Sequence, residues 1–353
     1  MKLAEANTRV RWIDNVRILA TVFVIGLHVS AYGITSEFNA VSGANMHWWL
    51  CNFYESVFRC CVPLFVMLTG ALLLPQTLPL KTFLTKRFGR ILIPAAFWGT
   101  IYVIYNLVMA NNKSVFLSSY DSFRWLRHQV LDGPISSFWY IYMLVGLYLF
   151  IPVLQPWVKL ASNKAVLYFL LIWLLTVAIK QCRLLPQQSP LELRYFSGYV
   201  GYLLLGYYLA HRLVTTQTIY LFALFASVSG FIITLIGTYW ASVNQQGFSG
   251  AFYEYLSLNV LVLSAGVFVL IKGNGGQADD YRPSWLKESL IRFGFGIYLI
   301  HALPLRIMVY FGLNYKVINP LLAIPLLTLL CLAVSYIAAW LISKLPYGKY
   351  VTG

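Results

Sequence analysis

Runs of about twenty apolar residues recur along this chain, and they decide what it can fold into. Inside a bilayer no water is available to backbone N–H and C=O groups, so a spanning segment has to satisfy them internally, as a helix does. One helical crossing takes about 20 residues. Ten such runs are read, at 15–33, 54–74, 91–110, 137–156, 164–181, 196–213, 217–240, 254–272, 290–311 and 319–343. Only 10% of the 353 residues are charged, against about 25% in soluble domains, and the polar stretches are of loop length. The expectation is an all-α polytopic membrane protein of about ten transmembrane helices, with residues 1–353 forming a single integral membrane domain. The first run carries Arg17 and is read as a retained span, not a cleaved signal peptide.

Charge placement orients the bundle. With the N-terminus in the cytoplasm, seventeen Lys and Arg residues fall on the cytoplasmic side and eight on the other, and Arg59 lies within a span. This bias predicts that both termini are cytoplasmic. The net charge of +15 is spread over short loops, which argues for a topology signal and against a nucleic-acid partner. Cys51, Cys60, Cys61, Cys182 and Cys331 lack metal-ligand spacing, so free thiols and no metal are expected. Cys51 with Cys182 is the one pair considered for a bridge.

Ionisable residues inside spans are costly and need a reason. In "RWIDNVRILATVFVIGLHVS" (11–30), Arg17 and His28 are 11 residues apart. That places them within roughly 20° on one helix face and about 16 Å apart along the axis. Asp14, at i−3 from Arg17, can pair with it. The stripe therefore faces protein or water, although a snorkelling arginine and a histidine satisfied by a neighbouring helix remain a purely structural alternative. Glu55 and Arg59 are at i, i+4, suited to an ion pair, followed by Pro63 and Gly70, which interrupt helical regularity. Lys86, Arg87 and Arg90 crowd the inner mouth of the third span. They suit topology, and the arginine fork also suits phosphate. Trp139 and Tyr140 open the fourth span, as interfacial aromatics or as a sugar platform. Glu254 and His301 are expected toward the same outer side as His28. The map has a basic cytoplasmic level and, past the midplane, a level able to do acid–base chemistry. A transporter of polysaccharide or small anions fits this layout. So does an enzyme joining an anionic donor from inside to an acceptor outside.

The motifs in their order resemble the acyltransferase-3 family of integral membrane acyltransferases. Its arginine–ten residues–histidine mark is similar to Arg17 and His28. "FRCCVPLFVMLTGALLL" resembles its Val-Pro-Leu-Phe stretch, with Thr69 where Ser is more usual, and "KRFGRILIP" its Arg-x-x-Arg segment, here Arg87 and Arg90 before Pro94. "FWYIYMLVGLYLFIPVL" and "GIYLIHAL" match later landmarks. The look is nearest to members of the enterobacterial common antigen O-acetyltransferase type. The resemblance implies a multi-pass protein of the bacterial inner membrane. The donor would be cytoplasmic acetyl-CoA, or another acyl-CoA, acting as co-substrate with no bound cofactor, and the acceptor a hydroxyl of a cell-surface or lipid-linked polysaccharide. The implied roles are His28 as general base or transient acyl carrier and Arg17, held by Asp14, steadying the donor's phosphates or thioester end. Lys86, Arg87 and Arg90 would hold the donor phosphates, and Glu55, Arg59, Trp139, Tyr140, Glu254 and His301 would support the acceptor side.

Overall fold

The computed structural model describes residues 9–39, 43–109, 119–182, 198–274 and 281–352. Of the cations counted for orientation, Lys2, Lys113, Arg183 and Arg194 lie outside them. The described chain is a helical bundle. Eight helical segments are long and apolar enough to cross a membrane, and a bent pair makes a ninth. In chain order the helices are α1 (Arg11–Ser36), α2 (Met46–Phe58), α3 (Cys61–Leu73), α4 (Leu80–Met109), α5 (Ser119–Leu131), α6 (Trp139–Leu160) and α7 (Asn163–Gln181). There follow α8 (Val200–His211), α9 (Gln217–Asn244), α10 (Leu258–Asn274), α11 (Trp285–Ile300), α12 (Ala302–Tyr310), α13 (Pro320–Ser343) and α14 (Gly348–Val351). A two-residue antiparallel ladder, Phe38–Asn39 with Gly43–Ala44, follows α1. All five cysteines are free.

Several helix starts are written locally. The side chains of Asn45, Ser162, Thr216, Ser284 and Asn319 each accept a backbone N–H in the first turn of α2, α7, α9, α11 and α13, which satisfies a donor that has no intrahelical partner. Pro320 at the start of α13 fits because its missing N–H would be unbonded there anyway.

Two crossings are interrupted near a proline, and one of them is bent. A proline has no N–H for the carbonyl four residues back, and its ring crowds that carbonyl. Pro63 does this to Arg59, and the helix is interrupted at Arg59–Cys60, between α2 and α3. Pro304 does it to Ile300, and α11 and α12 meet at 54° with His301 at the corner. The corner is held by Tyr102 of α4, whose hydroxyl donates to Leu299 O (2.7 Å) and to the freed Ile300 O (3.2 Å).

The expected span at 196–213 is a helix of only 12 residues, about 18 Å long. It lies closely against α3. A Cβ on Gly70 would strike the Leu203 carbonyl, and one on Gly206 the Met67 backbone. Small residues at a membrane helix contact allow this approach. At its end the His211 ring nitrogen donates to Ala71 O at 2.8 Å. Central α1 packs against α2, α3, α10, α11 and α13, whereas α7 and α9 bury little of their surface.

Candidate functional site

Helix α1 runs between two cavities. One, of about 780 Å³, is lined by Arg9 and Arg17, by the end of α3, the start of α4, α6, the length of α11 and the end of α13. Its cations are Arg9, Arg17, Arg87, Arg90, Arg292 and Lys344, against a single acidic residue, Glu288, which is paired with Arg9 at 3.0 Å. Five or so positive charges are left to a space in the size range of ligand sites, about 300–1,000 Å³. Arg87 is steadied by donating to Gln76 Oε1 (3.0 Å), and its Nε is buried without a hydrogen-bond partner. Asp14 is buried beside Arg17, with 3.9 Å between carboxylate and guanidinium. Trp285, Trp340 and Tyr148 add aromatic surface to the wall. This space can hold a polyanion with an aromatic part.

The second cavity, of about 310 Å³, is lined by His28, Tyr32 and Thr35 of α1, by Ser136 and Ser137 before α6, and by Ala302, Leu305 and Arg306 of α12. The His28 ring stacks on that of His301, with centroids 5.2 Å apart and planes 29° apart. His301 is fully buried. Its Nδ1 lies 2.5 Å from Tyr298 O. A carbonyl only accepts, so Nδ1 carries the proton and Nε2 of the neutral ring is an acceptor. That Nε2 is buried and unpartnered, a costly state that marks a place for a donor.

A thin aromatic layer separates the cavities. Tyr140 and Tyr298 line the arginine cavity, with ring centroids 5.3 Å apart. The Tyr298 hydroxyl donates to Ser137 O (2.6 Å), and Ser137 lines the histidine cavity. Tyr298 thus joins the wall of one space to the wall of the other through Ser137 and, through its carbonyl, sets the tautomer of His301.

The sequence-selected residues are distributed unevenly over this frame. Arg17, Arg87 and Arg90 meet in one cavity and His28 lines the other, with His301 against it. Lys86 is exposed and does not line the arginine cavity. Tyr140, expected on the acceptor side, lines the arginine cavity instead, because that cavity runs deep along α6 and α11. Glu55 and Arg59 line neither cavity. They form a buried pair at 2.9 Å, with the guanidinium 4.3 Å from the Tyr253 ring centre and 5.6 Å from that of Tyr255, next to the Pro63 break. Trp139 stacks on Tyr255 (5.5 Å) and lies against Tyr199 (5.8 Å). Glu254 is exposed, four residues ahead of α10. Arg9, Arg292, Lys344, Tyr298 and Arg306 were not singled out from sequence. In sequence the four cations read only as orientation charges, and Tyr298 carries no signal of its own. Among the described residues no cluster of His, Cys, Asp or Glu could hold a metal.

The C-terminal end of α1 is tied down by a carboxylate. Glu37, just past α1, accepts from Tyr315 Oη (2.6 Å), Asn45 Nδ2 (2.7 Å) and Lys316 Nζ (2.6 Å), and these donors hold its carboxyl down to a pKa of about 2.

Residues 10–340 match the sequence model of a family described as an acyltransferase domain. No curated protein and no solved structure matches the chain.

Proposed function

Because the chain belongs to the acyltransferase-3 family, whose sequence model covers residues 10–340, and is therefore a membrane acyltransferase, we propose that it is an O-acyltransferase of the bacterial inner membrane. In this reading it moves an acetyl or similar acyl group from cytoplasmic acyl-CoA to a hydroxyl of a cell-surface or lipid-linked polysaccharide. The observation that carries the reading is the pair of cavities along α1. One has cations and aromatics suited to the phosphates and base of CoA; the other has His28, with His301 stacked against it, suited to a hydroxyl. The positive-inside bias turns the arginine cavity toward the cytoplasm.

In the proposed reaction the donor phosphates rest on Arg87, Arg90, Arg292 and Lys344, with Arg17 nearer the thioester. The acyl end passes the Tyr140–Tyr298 layer. His28 takes the proton of the acceptor hydroxyl as its oxygen attacks the thioester carbonyl, a role that imidazole fills near neutral pH. The C–S bond breaks, the acyl–oxygen bond forms, and CoA leaves as the thiol after taking up a proton. His301, its Nδ1 committed to Tyr298, offers Nε2 as the neighbouring acceptor.

The test is release of free CoA from acetyl-CoA by the purified protein, with label appearing in a glycan acceptor. His28→Ala is expected to lower turnover by about 10²–10⁴-fold while CoA still binds. Turnover near wild type in a folded His28→Ala protein would remove His28 from the reaction. A transporter of the same architecture would move its solute and leave the thioester intact.

A further inference from the structure

The histidine cavity contains one fully charged side chain, Arg306, and its setting is unusual. Its Nη1 donates to Asn106 Oδ1 (2.9 Å), and its guanidinium carbon lies 5.3 Å from the Tyr105 ring centre. The amide of Asn106 is itself fixed, because its Nδ2 donates to Gln129 Oε1 (2.8 Å) and to Pro134 O (2.7 Å). The guanidinium is therefore aimed by neutral groups. Among the described residues no carboxylate is paired with it. Arg306 is half-buried, and a partly desolvated charge without a counter-charge costs stability. Topology offers no reason for it either, since it stands on the side that the positive-inside bias disfavours. Arg59, the other arginine deep in the bundle, is compensated by Glu55. Arg306 differs in opening onto a cavity, beside the hydroxyls of Ser136, Ser137 and Thr35 and within the same small space as His28.

We propose that Arg306 recognises an anionic group on the acceptor, so that this protein acylates an acidic sugar unit and not a neutral one. The inference rests on the acyltransferase reading of the histidine cavity and narrows its substrate class. The cavity is at the small end of ligand sites, so the anion belongs to the sugar that carries the reacting hydroxyl or to the atom joined to it. A guanidinium fork binds carboxylate and phosphate alike, which leaves two sources for the anion: the carboxylate of a uronic acid or the phosphate on the sugar of a lipid-linked glycan.

The experiment measures binding, so that its outcome is separate from that of the transfer assay. Full-length protein in nanodiscs is titrated with methyl glucoside, methyl glucuronide and glucose 1-phosphate at two salt concentrations. The proteins compared are wild type, Arg306→Gln and Arg306→Lys, with CoA binding to the arginine cavity as the check that each variant is folded. One of the two anionic probes is expected to bind wild type about tenfold or more tighter than the glucoside, the worth of a charge-assisted hydrogen bond. Which probe it is names the source. Arg306→Gln should remove the preference and leave glucoside binding unchanged. Arg306→Lys should keep part of it, and salt should weaken it. Equal binding of all three probes to wild type would overturn the proposal, as would a preference that survives in a CoA-binding Arg306→Gln protein. An anionic preference in a protein that never cleaves acetyl-CoA would refute the acyltransfer reading and leave the anion site standing.

Discussion

His28 and His301 differ in what the fold allows each nitrogen to do. The Nδ1 of His301 is occupied by Tyr298 O and its Nε2 is free. His301→Asn retains a donor near the Nδ1 position and deletes the acceptor. It is expected to keep thermal stability and lose about 10–100-fold in turnover, the value of one hydrogen bond to a developing charge. His301→Gln, which places an amide nearer Nε2, should be less damaging to turnover and more damaging to the melting temperature. The reverse order of the two variants would mean that His301 only packs. At the end of α1, Glu37 provides a pH test. Its carboxyl is held to about 2 in the folded protein against an ordinary 4.5, so its contribution is full above pH 4.5 and is lost as pH falls through 2. Glu37→Gln is therefore expected to melt earlier than wild type at pH 7, with the gap closing toward pH 2. A gap independent of pH would show that the carboxylate charge is not what ties Tyr315 and Lys316 to α1.

At the scale of elements, the prolines are decisive. Pro304 opens the corner at His301, and Tyr102 takes over the Ile300 carbonyl that it frees. An alanine there would supply an N–H to Ile300 O and favour a straight α11–α12 helix. Pro304→Ala is accordingly expected to be as stable as wild type or more so, yet to turn over about 100-fold more slowly. The reason is that displacement by about an ångström from a productive geometry costs that much. Equal loss of stability and activity would mean that the corner is merely structural. Near the Pro63 interruption, Arg59 keeps helical dihedrals, pairs with Glu55 and lies over Tyr253. Close packing of α8 on α3 depends likewise on Gly70 and Gly206, where any side chain meets backbone.

For the molecule as a whole, the two cavities lie at different levels and are divided by Tyr140 and Tyr298. The Arg17 and His28 levels are about 16 Å apart along an ideal helix, so an extended pantetheine arm can join them while the phosphates stay among the arginines. Sealed vesicles of native orientation are expected to use acetyl-CoA supplied inside and to modify acceptor supplied only outside. Modification confined to the case where both share the cytoplasmic side would place the reaction there and leave the histidine cavity without a catalytic role.

Most of the helical spans and the polar residues that interrupt them were legible in the sequence, whereas the run at 196–213 forms only a 12-residue helix. They follow from local rules: about twenty apolar residues per crossing, 100° per residue, and proline's missing N–H. The family resemblance was carried by the same short motifs. Pattern alone could not separate cations that orient the bundle from cations that line a space. Arg9, Arg292 and Lys344 turned out to share a cavity with Arg17, Arg87 and Arg90, while Lys86 does not. Nor could it show that Glu55 and Arg59 pair with one another away from both cavities, that Tyr140 lines the arginine cavity, or that Tyr298 bonds to the wall of the other. A side chain's own helix sets its direction, but its partner comes from another helix, often more than a hundred residues away: Tyr298 on Ser137, Arg306 on Asn106, His301 on His28. Those pairings depend on how the helices cross, and only tertiary packing determines that.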